Sequence, residues 1–118
     1  MGVKLDITFK SKSDEKLFND YNLLKRTYGQ SQADRICLRL DHLRSAANLK
    51  DAYLLPGNVH PLKGDKRETF SIDIIGQQRL LFIPVDINRL NDGGLNTVKI
   101  KCIQILGVDD THDGKNKK

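Results

Sequence analysis

The 118-residue chain has no tryptophan, one methionine, two cysteines and three prolines, and aromatic residues make up only 6% of it. Its two thiols, Cys37 and Cys102, sit in periodic apolar segments without any Cys-x-x-Cys or His/Cys grouping. Neither a disulfide framework nor a zinc site is therefore indicated, and buried free thiols are expected. The longest apolar stretches are Leu80-Leu81-Phe82-Ile83 and the gapped run 103–108, far short of the ~18 residues that span a bilayer. A transmembrane helix is excluded on that count, and no membrane partner is expected. The first six residues mix charge with apolar side chains and lack the core of a secretion signal, so a cytoplasmic location is expected. Also missing are a Gly-rich phosphate loop, a nucleophile elbow, a His-Glu-x-x-His pair, a paired-carboxylate motif and any internal repeat.

What is present fits one modest core. Hydrophobic residues amount to 38% and charged ones to 30%, too much apolar material for a disordered chain. At this length a single domain is expected over 1–112, with the polar segment 113–118 as a flexible tail. The net charge is +5, and residues 1–50 hold ten Lys/Arg against six Asp/Glu. A basic balance of this size is compatible with a nucleic-acid or ribosomal partner without requiring one.

Val3, Leu5, Ile7 and Phe9 alternate with polar residues, the period of a half-buried strand. Leu17, Tyr21, Leu24 and Tyr28 then step by four, three and four, which predicts a helix with Ser13 as N-cap and Gly29 as its stop. Ile36, Leu40, Leu43 and Ala47 repeat that spacing after a capping arrangement at Ser31, predicting a second helix to about Lys50, antiparallel to the first. Downstream, Phe70, Ile72 and Ile74 alternate with Ser71 and Asp73, Gly76-Gln77 forms a turn, and Arg79 to Ile83 returns as the second arm of a hairpin. A last strand is expected from Val98 through Ile105, after a protruding loop over 84–97. The order strand, helix, helix, strand, strand, strand predicts an α+β domain.

Two segments stand out chemically. The run His60-Pro61-Leu62-Lys63-Gly64-Asp65-Lys66-Arg67 combines a titratable imidazole with three cations, a set able to grip phosphates and move a proton. A solvated loop would carry the same residues. Arg79 opens a strand where an apolar residue is expected, and Asp109-Asp110-Thr111-His112 puts a second imidazole and carboxylates where the last strand runs out. Each has an equally plain reading as solvated surface.

Taken together, Leu55-Pro56-Gly57, the His60-x-Leu-Lys-Gly-Asp65 core, the Phe70-Ser71-Ile72 strand start, Arg79 before an aliphatic-Phe strand, and the ending Asp110-Thr111-His112 resemble the HigB-like toxins of the RelE/ParE superfamily, the toxin halves of bacterial type II toxin-antitoxin pairs. The likeness covers residues 3–112. It implies a RelE/ParE-like α+β fold, with two N-terminal helices on one face of a four-stranded, mostly antiparallel sheet and the other face left for RNA. It also implies ribosome-dependent endoribonuclease action on messenger RNA, restrained by a helix-turn-helix antitoxin, with no metal or cofactor. By position, His60 and His112 are the proton-transfer groups, Asp110 orients or tunes one of them, and Arg79 and Lys63 stabilise the transition-state phosphate. Lys66 and Arg67 become RNA or ribosome contacts. Thr111 stands in that same contact position, where many relatives carry a tyrosine, so stacking on a base is lost there. Two other outcomes stay open: a ParE-like gyrase poison that cleaves no RNA, and a binding-only member that has lost cleavage.

Overall fold

The computed structural model describes residues 4–64 and 68–110, with the side chain of Asp110 left aside. Strand β1 (Asp6–Phe9) is followed by α1 (Lys12–Asn19), α2 (Tyr21–Tyr28), α3 (Gln30–Ser45) and the single turn α4 (Leu49–Ala52). Strands β2 (His60–Pro61), β3 (Phe70–Asp73), β4 (Gln78–Pro84) and β5 (Cys102–Asp110) complete an α+β fold. The sheet runs β1-β5-β4-β3-β2, with β1 parallel to β5 and every other pair antiparallel. Among the described residues no helix is long and apolar enough to cross a membrane.

Among the described residues four helices and five strands replace the two and four expected, and each difference has a local cause. The first predicted helix breaks at Asp20, which adopts extended backbone and accepts a hydrogen bond from the Leu23 amide at 3.1 Å, capping α2. The break lets Phe18 enter the core, while Tyr21 stays exposed and donates to Asp34 at 2.6 Å. Ser11 rather than Ser13 caps α1, through the Asp14 amide at 3.1 Å. Gly29, with φ of +88°, ends α2 and also opens α3, so Ser31 caps nothing. Helix α3 stops at Ser45 instead of Lys50, because Ala46 turns extended and its carbonyl accepts from the Leu5 amide at 2.7 Å.

The last strand is displaced as well. Residues Thr97–Lys99 form a 3-10 turn, and Asp86 accepts from the amides of Lys101 (2.9 Å) and Cys102 (3.1 Å), so pairing starts only at Cys102. Strand β5 then runs past Gly107 to Asp110. Its register to β4 shifts between Leu81↔Gly107 and Phe82↔Ile105, leaving Leu106 as the extra residue of a bulge that Gly107 accommodates at φ +138°. The added fifth strand, β2, lies in the segment read as a loop: His60 pairs with Ser71 and Pro61 with Phe70.

Alternation sorts the sheet into two faces. Phe70, Ile72, Leu80, Phe82, Ile103 and Ile105 are buried in one cluster with Phe18 and Leu24 and with Ile36, Leu40 and Leu43 of α3. Phe70 and Phe82, opposite each other in register, stack with centroids 5.7 Å apart. Cys37 and Cys102 are free and half-buried, and burial pushes both thiols up from their ordinary range.

Candidate functional site

On the face of the sheet turned away from that cluster, register lines up two cross-strand rows. The first holds His60, Ser71, Leu81 and Gly107, and the second holds Asp73, Arg79 and Asp109. His60 and Arg79, far apart in sequence, thus share one face. Their strands are two apart and their rows adjacent, which at ~4.8 Å between strands and ~3.3 Å per residue separates the two backbones by about 12 Å.

The turn before β2 fixes the histidine. Its Nδ1 lies 2.8 Å from the Asn58 carbonyl oxygen, and a carbonyl only accepts. The neutral ring therefore carries its proton on Nδ1, donates it to Asn58, and keeps the Nε2 lone pair. Asn58 offers that carbonyl from left-handed backbone (φ +56°), which asparagine tolerates better than most residues. Gly57 before it sits at φ +106°, and a Cβ there would lie 2.7 Å from Ile72 Cγ1 and 3.1 Å from Arg39 Nε. Backbone strain and contact act together at this position. Gly57→Ala is expected to cost about 1–3 kcal/mol, read as a lowered midpoint in urea unfolding, while a wild-type midpoint would show that the turn relaxes freely.

Arg79 is the cation of the second row. Its Nε stands 3.8 Å from Asp73 Oδ1, with the arginine side chain 31% exposed and the aspartate 43%. Asp73 is held by its backbone: its amide donates to the Gly57 carbonyl at 2.7 Å, and its carbonyl accepts from Arg39 Nε at 2.7 Å. Arg39, almost buried on α3, is pushed below the ordinary arginine range by burial first and by Arg35 second. Arg35 in turn donates to the Ile74 carbonyl at 3.2 Å, so α3 clamps the end of β3 twice. Between the rows' key residues lies Ser71, fully buried, whose hydroxyl has no hydrogen-bond partner among the described residues.

The remaining sequence candidates are less concentrated. Lys63 is exposed in the turn after Leu62, whose amide donates to the Thr69 carbonyl; this places the lysine beyond His60 on the side away from Arg79. Asp110 stands opposite Gln78, and it is Asp109 that pairs with Arg79. Lys66, Arg67, Thr111 and His112 lie outside the described residues, as does the 113–118 tail. Sequence reasoning missed Asp73 and Arg39. Asp73 was legible as a polar position alternating with Ile72 and Ile74, but its partner depends on hairpin register. Nothing in the local pattern of α3 marks Arg39 as the residue that turns inward.

The segment 84–97 is expected to protrude as a loop; Pro84 instead ends β4, Thr97 opens the 3-10 turn, and the residues between them are internally folded. Arg89 bridges to Leu95, and the Asn96 amide donates to Asn88 at 2.7 Å. Arg89 also grips Glu68 with two parallel bonds, 2.7 and 3.0 Å, tying the segment to the connection that precedes β3. The hydrogen bonds from Arg89 hold the Glu68 carboxyl below the ordinary glutamate range. A depressed folded-state pKa means that the clasp contributes at neutral pH and is lost as pH falls through the acidic range of Glu68. In a pH titration followed by NMR, the Arg89 Nη and Glu68 carboxyl signals should move together; independent titration would show that the clasp does not form in solution.

Among the described residues no pocket forms and no three potential ligands come together to hold a metal ion. No protein-family model, curated protein or solved structure matches the chain.

Proposed function

We propose that the protein is a HigB-like toxin of the RelE/ParE superfamily that cleaves messenger RNA on the ribosome and is restrained by a helix-turn-helix antitoxin. The observation that carries this reading is the placement of His60 and Arg79 on the same face of the sheet, to either side of the buried Ser71, with Lys63 beyond His60. An arginine and an imidazole about 12 Å apart at the backbone can lean toward one phosphodiester from two sides.

The chemistry follows from the groups. The ribose 2'-hydroxyl attacks the adjacent phosphorus, the bond to the 5'-oxygen breaks, and a cyclic phosphate forms. His60, whose neutral ring keeps a lone pair on Nε2 when Nδ1 donates to Asn58, takes the 2'-hydroxyl proton. Arg79 and Lys63 offset the charge that builds on the phosphorane. His112 returns a proton to the leaving 5'-oxygen, and Asp110 orients or tunes a histidine. Lys66, Arg67 and Thr111 contact the RNA or the ribosome, so binding weakens as salt rises.

Controlled expression in bacteria tests the class of action. Arrested translation with messages cut inside their coding regions is the expected result. Gyrase-linked DNA breaks with intact messages would replace this reading with a gyrase poison, and harmless accumulation of folded protein would replace it with a binding-only member.

A further inference from the structure

We infer that Asp73 is a positioning residue for Arg79, setting the direction of its guanidinium on the face turned from the core; this rests on the role proposed above for Arg79. The aspartate is unusually well anchored for a half-exposed side chain. Its amide is tied to the turn before β2 through Gly57, and its carbonyl to α3 through Arg39, both at 2.7 Å. The carboxylate therefore starts from a backbone fixed by three parts of the fold. Across the ladder it faces Arg79 directly, and Asp109 faces the same arginine from β5.

The mode of contact decides what such a carboxylate can do. Arg79 approaches Asp73 through Nε at 3.8 Å, longer than a hydrogen bond. A bidentate carboxylate pairing would occupy the terminal nitrogens, as happens at Glu68 and Arg89. A contact through Nε without a hydrogen bond instead directs the side chain by charge and suits the terminal fork to an anion with two acceptor oxygens, such as a phosphodiester. As a surface ion pair it adds little to stability. Its consequence is orientation: without it the long side chain samples more rotamers, and the fork no longer keeps one direction on the face.

Single-turnover cleavage of a ribosome-bound message separates this role from a structural one. Asp73→Asn keeps both backbone bonds and should slow cleavage at saturating protein roughly tenfold, with the half-saturating concentration unchanged. Asp73→Glu should recover most of the rate. An Asp73→Asn rate equal to wild type, a loss confined to half-saturation, or no recovery with glutamate would each overturn the inference. If the unsubstituted protein cleaves nothing, the proposed function fails instead, and the Nε–H resonance of Arg79 still decides the positioning claim. In Asp73→Asn that resonance should move toward the position of a free arginine; an unmoved resonance would overturn the claim.

Discussion

Arg79→Ala is expected to reduce message cleavage by about a hundredfold or more while leaving the unfolding free energy within about 0.5 kcal/mol of wild type. Two observations set these magnitudes. The guanidinium is on the face turned from the core, a third exposed, and pairs with the half-exposed Asp73 at 3.8 Å, so little stability depends on it. A cation placed where charge develops on a phosphorane, in contrast, acts mainly in the transition state, and its removal should lower the rate at saturation more than it weakens binding. Rates measured over a range of protein concentrations, beside urea unfolding of the same preparation, check both halves. Wild-type cleavage by the alanine variant would remove Arg79 from the site, and a large loss of stability would make it a structural residue.

The second large effect is on the other face of the same strand. Phe82→Ala should destabilise the domain by about 3–5 kcal/mol, because it deletes a fully buried ring and leaves a cavity that the sheet cannot close. Phe82 stacks on Phe70 from the opposing strand and faces Ile105 across β4 and β5, at the register shift where Leu106 bulges out. A domain of this size has about 5–15 kcal/mol in total, so the variant should unfold at markedly lower urea or remain partly unfolded without it. A loss under about 1 kcal/mol would mean that the core repacks around the gap and that this stack does not hold β3 to β4.

Much of this architecture is legible in the order of residues. The hairpin of β3 and β4 follows from alternation and the Gly76-Gln77 turn, and the stripe Ile36, Leu40 and Leu43 gives the buried side of α3. The α+β class follows from those pieces. What the pattern hides is where polar side chains prefer backbone partners to helix continuity. Asp20 splits a periodic stretch by capping the helix after it, and Asp86 delays β5 by taking two amides that a ladder would otherwise use. Neither competition changes hydrophobic periodicity. The fifth strand was hidden for a related reason, since His60–Pro61 is too short to show any alternation.

The site is legible to a different depth. Chemistry singled out His60, Lys63 and Arg79 from their residue types and surroundings, yet only register reveals that His60 and Arg79 share a face and that Asp73 and Asp109 flank the arginine. Such pairings depend on the count of residues through a turn and a bulge, and a one-residue change at Leu106 would turn Asp109 away from Arg79. The hydrogen bond from His60 to Asn58 is beyond a sequence reading too, because it requires left-handed backbone at two consecutive positions.

Primer extension on a defined message in a reconstituted translation system tests the central claim most directly, comparing ribosomes alone, ribosomes with the protein, and ribosomes with His112→Ala or Arg79→Ala. The account predicts cuts within ribosome-positioned codons, no cuts in naked message, and loss of the cuts in both variants. An intact message on ribosomes exposed to the folded wild-type protein would contradict it.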